Sequence, residues 1–298
     1  MKSCLVDFSD ASTGLGDIIS LMPYLNKFRI IQNVEVYFKV KNIFISELFK
    51  LTFPEIKFVD KNDTQQYDKE IILKHAWDKP LQQVFAEQLG FINAEYIRPK
   101  VDDVLGDRPI KNKYVVISIQ STSQLKYWNH PNGKKEQLTS TNWDTLCRML
   151  RKSGYTPVCV DNYESFGVPH FRNHTPKSCV KKLGLPLTEV MKIIKHCEFF
   201  IGLSSGLSWL AHSMNKPVAM ISNFTEDWHE FDLSTSDYKR ITNKNVCHGC
   251  WNLVGKEFDF EYDDWYWCPK HKGTNRQFEC HTSITPEMVF EEIKDWIK

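Results

Sequence analysis

Four cysteines near the C-terminal end of the chain have the spacing of a metal site. Cys247 and Cys250 form a C-x2-C pair, and Cys268 and Cys280 follow in the same segment. Four thiolates so arranged predict tetrahedral binding of one metal ion, and both zinc and a single iron suit them. Because four protein ligands leave no position open for a substrate, the site is expected to be structural. Three histidines could substitute as ligands or lie around the site: His248, His271 and His281.

A second set of polar residues lies in a turn between a short apolar run and a helical run. Backbone N–H groups at the start of a helix favour an anion, and serine hydroxyls would add hydrogen-bond donors. The turn lacks the Walker lysine and the full G-x-G-x-x-G spacing, which argues against a P-loop ATPase and a dinucleotide dehydrogenase. An ordinary capped helix explains these residues equally well. The predicted ligand-binding residues here are Ser204, Ser205, Gly206, Leu207 and Ser208.

An acidic residue follows the first glycine turn of the chain, Gly14-Leu15-Gly16-Asp17. Asp17 would lie at the carboxyl edge of the first strand, facing a cleft, where a carboxylate can act as a general base. Capping of the following helix is the simpler alternative for Asp17 taken alone.

A basic residue lies in the loop that follows the predicted strand 114–119. Lys126 offers a compact positive charge for a diphosphate, and Ser121 and Thr122 could donate hydrogen bonds to it or to an acceptor molecule. The alternative is a solvated lysine beside the core residue Trp128.

Strands and helices alternate along the chain, as expected for an α/β fold with parallel sheets. The alternation restarts after the Gly-, Pro- and Asp-containing stretch 106–112, which predicts two Rossmann-like domains facing a cleft. We expect an N-terminal, acceptor-side domain at 1–108 and a donor-binding domain at 109–298, with the four-cysteine segment at 247–280. The predicted strands are 4–8, 34–40, 56–59, 114–119, 156–160, 198–202 and 217–222, and the predicted helices are 18–28, 43–51, 143–152, 187–196, 209–214 and 286–297.

Composition and charge exclude several classes of protein. Lys and Arg total 38 against 37 Asp and Glu, so the net charge of +1 provides no field for binding nucleic acid or an anionic membrane. Neither a secretory signal nor a long apolar segment is evident, which predicts a cytoplasmic protein without membrane insertion. Homo-oligomerisation remains possible. The odd total of nine cysteines argues against disulfides.

Four motifs together resemble the bacterial autotransporter heptosyltransferases, which belong with the ADP-heptose transferases of lipopolysaccharide synthesis. Members of that family typically have a longer region before the first glycine turn. The motifs are Gly14 to Asp17, Ser121 to Asn129, Ser204 to Ala211 and Cys247 to Asn252. The resemblance implies a GT-B fold, an ADP-heptose donor, inverting transfer to a hydroxyl group, and iron rather than zinc on the cysteines.

The resemblance also implies roles for individual residues. Asp17 would take the proton of the acceptor hydroxyl, and Lys126 would hold the diphosphate with the serine turn, so that no catalytic metal is expected. Gly16 and Thr225 would contribute to donor binding, and Glu230 would bind sugar or ribose hydroxyls.

The resemblance says less about the acceptor of the sugar than about its donor. By analogy it is a serine or threonine of a protein, while a lipopolysaccharide core or another glycan would use the same donor chemistry. A non-catalytic nucleotide-sugar binding protein is a further alternative, although such a protein would not need both Asp17 and Lys126.

Overall fold

The computed structural model describes residues 1–9, 13–121, 126–128, 141–168, 171–232, 234–261 and 263–298. The chain divides into two compact units, Met1–Asp103 and Val104–Lys298. Each unit contains a parallel sheet with helices, so the expected α/β class is confirmed. None of the described helices is both long enough and apolar enough to span a membrane.

The first unit is built around a four-stranded, wholly parallel sheet in the order β3-β2-β1-β4. Strand β1 is central, and its residues Cys4, Leu5 and Val6 are buried, as expected for a strand covered on both faces. The first unit contains β1 (Lys2–Phe8), α1 (Leu15–Gln32), β2 (Val34–Val40), a 3-10 helix (Ile43–Leu48), β3 (Lys57–Asp60), β4 (Lys69–Ile72) and α2 (Leu81–Gln88).

The second unit contains a six-stranded parallel sheet in the order β12-β11-β10-β5-β6-β9 and a small antiparallel pair, β7-β8. Its central strands are almost entirely apolar and buried. Its elements are β5 (Tyr114–Ser118), α3 (Thr141–Lys152), β6 (Thr156–Cys159), β7 (Ser165–Val168), β8 (Phe171–His174), β9 (Val180–Lys181), α4 (Leu187–Lys195), β10 (Phe200–Leu203), α5 (Gly206–Ser213), β11 (Val218–Ile221), β12 (Tyr238–Ile241), a 3-10 helix (Cys250–Leu253), α6 (Glu279–Thr282), α7 (Pro286–Glu292) and a 3-10 helix (Lys294–Trp296).

Some elements differ from the sequence-based expectations. The predicted helix 43–51 is a 3-10 helix over Ile43–Leu48, in a sequence whose isoleucines and serine are modest helix formers. The predicted final helix 286–297 ends at Glu292 and continues as a 3-10 turn. Several elements were not predicted, because they are short and lack a clear hydrophobic period: β4, α2, β7, β8, β9 and β12.

The sheet order determines which loops of the second unit lie near one another. In a parallel sheet all carboxyl ends lie at one edge, so the segments that follow β5, β6, β10 and β11 begin at that edge. The predicted donor-binding residues of this unit all follow β5, β10 or β11.

Candidate functional site

Asp17 lies in the first turn of α1, in the first unit. The N–H of Gly14 donates to Asp17 Oδ2 at 2.7 Å, so the carboxylate caps the start of the helix. Gly16 is buried beside it, and Asp17 remains partly exposed. The structure therefore realises the capping alternative, and the cap fixes the position of the carboxylate that a general base would need.

The chain on either side of Lys126 is anchored by hydrogen bonds that Tyr127 and Trp128 donate. Ser121 is 8% exposed, and its carbonyl accepts a hydrogen bond from the Tyr127 hydroxyl at 3.0 Å. The buried Trp128 donates its indole N–H to the carbonyl of Ile284 at 2.7 Å. Thr122, a predicted donor-binding residue, lies outside the described residues.

Asp161, which follows β6, is a buried carboxylate that sequence reasoning missed. It accepts hydrogen bonds from the Ser118 hydroxyl and the Ile119 N–H, both at 2.8 Å, and from the Cys159 thiol at 3.2 Å. Burial raises the pKa of this carboxyl, although the bonds from Ile119 and Ser118 stabilise its charged form. Asp161 thus anchors the end of β5, from which the Lys126 loop departs.

Replacing Asp161 with alanine should lower the free energy of unfolding by about 2–4 kcal/mol, because a buried hydroxyl and a buried N–H lose their acceptor. Urea unfolding followed by tryptophan fluorescence measures the change. Asp161→Asn retains one carbonyl oxygen and should lose less. An Asp161→Ala protein with the unfolding midpoint of the parent would show that Ser118 and Ile119 do not depend on this carboxylate.

Lys126 lies over an aromatic ring of the segment that follows β11. Its Nζ is 5.3 Å from the centroid of the Phe224 ring, and the His281 ring lies 6.0 Å from the same phenyl ring. Burial, followed by the positive charges of Arg240 and Lys126, lowers the pKa of His281 to about 3. The imidazole is therefore neutral near pH 7, and the positive charge around it comes from Lys126 and Arg240.

The turn between β10 and α5 has the geometry of an anion-binding helix start. Ser205 occupies the N-cap position, yet its hydroxyl makes no capping bond and has no hydrogen-bond partner among the described residues. The N–H groups of Gly206 and Leu207 precede the first hydrogen bonds of the helix. A buried, unused hydroxyl beside two such N–H groups favours ligand binding over simple capping.

The hydroxyl groups of the other two serines of this turn donate hydrogen bonds within the protein. The Ser208 hydroxyl donates to the carbonyl of Leu203 at 2.6 Å, and the Ser204 hydroxyl donates to Glu230 Oε1. Gly202 permits this packing, since a Cβ there would lie 2.9 Å from Ser208 Oγ and closer still to the Phe200 ring. Ser205 is therefore the serine of this turn whose hydroxyl has no hydrogen-bond partner among the described residues.

The segment 222–230 contributes Thr225 and Glu230. Thr225 is 3% exposed, and Arg240 donates to its hydroxyl and, at 2.8 Å, to its carbonyl. Glu230 is 4% exposed, and its Oε2 has no hydrogen-bond partner among the described residues. A buried carboxylate oxygen without a partner fits a role in binding the hydroxyl groups of a ligand.

The four predicted metal ligands lie together. Cys247, Cys250, Cys268 and Cys280 line one small cavity of about 10 Å³, which is room for one water-sized sphere. All nine cysteines of the chain are described, and all are free thiols. The donor set and the size of the cavity therefore fit a single thiolate-bound ion.

Two thiols of the cluster, those of Cys250 and Cys280, have pKa values raised by burial. Burial, with a contribution from Cys247 and Cys268, raises the pKa of Cys250 to about 12. The pKa of Cys280 is also raised by burial, and its Sγ lies 3.4 Å from Nδ1 of His281. A bound metal would have to displace the thiol protons, so its affinity should fall as the pH falls.

A second ligand set overlaps the first. Ligand atoms of Cys247, His271 and Glu279 lie within 4.8 Å of one another. Glu279 is also bonded through both carboxylate oxygens to Arg276, at 2.6 and 2.9 Å, so it already has a cationic partner. Among the described residues, this is the one set of three or more potential ligand atoms found so close together, and the four thiols line the same cavity without lying as near to one another.

The two cysteines of the C-x2-C pair flank a glycine in the left-handed region. Gly249 has φ +69, and a Cβ there would lie 2.0 Å from the Glu226 carboxylate. The Gly249 N–H donates to the carbonyl of Asn223 at 3.1 Å, and the Trp251 N–H donates to the carbonyl of Phe224 at 2.9 Å. The start of the cysteine-containing segment 247–280 is thus hydrogen-bonded to segment 222–230.

The structure brings several predicted residues of the second unit together. Ser204 contacts Glu230, and Lys126 contacts Phe224, the neighbour of Thr225. Sequence reasoning missed Asp161 and Arg240, since an isolated acid after a strand and an arginine in a short edge strand carry no motif. Asp17 and Gly16 belong to the first unit.

Comparisons with known proteins agree on one family. The profile of glycosyltransferase family 9 (heptosyltransferase) matches residues 64–229. Autotransporter heptosyltransferase Aah from Escherichia coli is 36% identical over 301 aligned residues, which cover 97% of this chain and 72% of that protein. Autotransporter heptosyltransferase TibC from Escherichia coli O78:H11 is 34% identical, with 92% of this chain and 67% of that protein covered. Inactive autotransporter heptosyltransferase BimC from Burkholderia thailandensis is 32% identical over 66% of this chain and 43% of that protein.

Solved structures of TibC are similar over nearly the whole chain. The crystal structure of this iron-containing, dodecameric glycosyltransferase has a TM-score of 0.85 and 29% identity, with 99% of this chain and 76% of that chain covered. The complex of TibC with ADP-D-β-D-heptose has a TM-score of 0.84 with the same coverage and 28% identity. The likeness shows an α/β fold with parallel sheets similar to that of the GT-B-like heptosyltransferases.

Proposed function

Since the chain belongs to glycosyltransferase family 9, the heptosyltransferase family, we propose that it transfers a heptose from ADP-heptose to a hydroxyl group with inversion at the anomeric carbon. One observation carries the choice of donor: the similar protein TibC has been crystallised with ADP-D-β-D-heptose. In this chain, the buried and unused polar atoms of Ser205 and Glu230 support a ligand at the carboxyl edge of the second sheet.

The proposed acceptor is a serine or threonine of a protein. The names of Aah and TibC support it, since both are autotransporter heptosyltransferases. A glycan acceptor would use the same donor site. Because BimC is named an inactive member, transfer by this chain has to be measured.

In the proposed mechanism, Asp17 accepts the proton of the acceptor hydroxyl while its oxygen attacks the anomeric carbon on the face opposite the ADP. The bond between that carbon and the diphosphate oxygen breaks, and negative charge grows on the ADP. Lys126, the Ser205 hydroxyl and the N–H groups of Gly206 and Leu207 would stabilise this charge.

We further propose that Cys247, Cys250, Cys268 and Cys280 hold one metal ion. Four thiolates suit both iron and zinc, and the iron-containing relative TibC favours iron. Bound there, the ion would cross-link the segment 247–280 and take no part in sugar transfer. We also propose self-association, as in dodecameric TibC, and a cytoplasmic location.

Mass spectrometry tests donor, activity and acceptor class together. The purified chain is incubated with ADP-heptose and either candidate autotransporter passenger proteins or lipopolysaccharide core. We expect heptose on serine or threonine of the protein, and NMR of the product should show the inverted anomer. If heptose were found on the glycan alone, the acceptor would be a glycan and not a protein. If ADP-heptose bound without being transferred, the chain would be a non-catalytic nucleotide-sugar binding protein.

Replacing Lys126 with alanine should weaken donor binding and turnover together. Its charge would meet the diphosphate in the ground state and more strongly as the leaving group develops, so kcat/KM should fall by about 100-fold. Steady-state kinetics and calorimetry with ADP measure the two effects, and Lys126→Arg should recover part of each. Unchanged ADP affinity and turnover in the alanine variant would place Lys126 outside the site.

A further inference from the structure

Arg240 is a buried arginine to which no motif assigns a role. It lies on β12, the edge strand beside β11, and its side chain is 2% exposed. Its Nη2 donates to Ser222 Oγ at 3.3 Å and to both the hydroxyl and the carbonyl of Thr225. One guanidinium group therefore ties together two residues of segment 222–230.

The hydrogen bond from Arg240 determines whether the Thr225 hydroxyl group can donate its own proton. A guanidinium group can only donate hydrogen bonds, so Thr225 Oγ1 must accept from Arg240. The proton of the Thr225 hydroxyl is then directed elsewhere, to Ser222 Oγ at 3.4 Å or to a bound acceptor. Arg240 thus makes Thr225 a hydrogen-bond donor, which is the polarity that a phosphate or ribose oxygen requires.

The Arg240 guanidinium group also has an acidic neighbour, which holds it in place. Asp227 Oδ1 lies 3.4 Å from Arg240 Nε, and the same carboxylate pairs with Lys244. Two cations therefore share one carboxylate. Nε and Nη1 of Arg240 are buried and have no hydrogen-bond partner among the described residues. Burying a guanidinium group is costly, and the bonds to Ser222 and Thr225 and the ion pair with Asp227 offset that cost, which ties Arg240 firmly to this segment.

We propose that Arg240 is a positioning residue of the donor site, which holds Thr225 and segment 222–230 in the shape that binds the nucleoside diphosphate of the sugar donor. The inference rests on the proposed function, because Thr225 contacts the donor only if the site binds a nucleotide sugar. Arg240 acts through Thr225 and takes no part in the chemical step.

A double-mutant cycle between Arg240 and Thr225 tests this inference. Arg240→Met and Thr225→Val should each raise the donor KM and the Kd for ADP by about tenfold, with little change in kcat, because they disturb ground-state binding. The double variant should also show about tenfold rather than 100-fold weaker binding, since both changes remove one interaction. Arg240→Lys should fall between the parent and Arg240→Met.

Lys244→Gln is the matched control, because it removes the exposed partner of Asp227 and leaves Arg240 and Thr225 in place. It should bind ADP like the parent. Melting temperatures are measured for every variant. If Arg240→Met fails to fold, the cycle is run with Arg240→Lys and Thr225→Val, for which the same lack of additivity is expected.

The outcomes separate this inference from the proposed function. A parent protein that does not bind ADP would refute the nucleotide-sugar function itself. A parent that binds ADP, with folded Arg240 variants of unchanged affinity, would refute the positioning role alone. Effects that multiply in the double variant would also overturn it, since Arg240 would then act independently of Thr225.

Discussion

An Asp17→Asn protein is expected to bind ADP like the parent and to transfer sugar about two to four orders of magnitude more slowly. The amide is nearly isosteric with the carboxylate but cannot accept the proton of the acceptor hydroxyl, and loss of a general base typically has an effect of this size. Single-turnover transfer from ADP-heptose and calorimetry with ADP measure the rate and the affinity separately.

Comparison with Asp17→Ala separates the role of Asp17 as a general base from its role as a helix cap. The structure shows Asp17 Oδ2 accepting the Gly14 N–H, so alanine should also destabilise α1 by about 0.5–2 kcal/mol. Asparagine keeps an oxygen for this bond and should melt close to the parent. If the Asp17→Asn protein transferred sugar at close to the parent rate, Asp17 would only cap the helix, and another residue would be the general base.

The sequence predicted the α/β class because the central strands are short apolar runs with turns on either side. Residues Val218 to Ile221, for example, are all buried, and their side chains alone indicate a strand covered on both faces. The edge strand β9 has only two residues and forms through pairing with β6, so no local pattern could reveal it. Local patterns therefore predicted central strands better than edge strands.

The sequence predicted which turns carry the candidate ligand-binding residues, but it did not predict the hydrogen bonds that each side chain makes. Ser205 and Ser208 are equivalent in the sequence, but the fold directs the Ser208 hydroxyl to a backbone carbonyl and leaves the Ser205 hydroxyl unused. Asp161 and Arg240 act through partners that lie 42 and 15 residues away in the sequence. Such contacts depend on the order of strands in the sheet, which the sequence alone did not determine.

Protein purified without added metal is expected to contain about one equivalent of iron or zinc, with iron favoured. Replacing any one of Cys247, Cys250, Cys268 or Cys280 with serine should release it, because each thiol lines the same cavity. Elemental analysis measures the metal. A Cys268→Ser protein with full metal content and stability would contradict the site, as would a metal-free parent with Cys247 and Cys250 joined by a disulfide.

Two controls sharpen the metal experiment. Cys197→Ser alters a fully buried thiol outside the cavity, so it should lose stability and keep the metal. His271→Ala tests the overlapping set of Cys247, His271 and Glu279. If that set held the ion, His271→Ala would release it and Cys280→Ser would not, whereas the four-thiolate site predicts the reverse.

Loss of the metal should lower the melting temperature by about 10 °C or more, since the ion contributes several kcal/mol to folding. Segment 247–280 has little regular structure of its own, with a short 3-10 helix and the four-residue helix α6 among its described residues. Loss of activity should follow as a consequence. The Gly249 and Trp251 N–H groups hold the carbonyls of Asn223 and Phe224, so an unfolded metal segment would release the segment that carries Thr225 and Glu230. Donor KM measured below the melting temperature should therefore rise in the serine variants, while an unchanged KM would confine the role of the metal to stability.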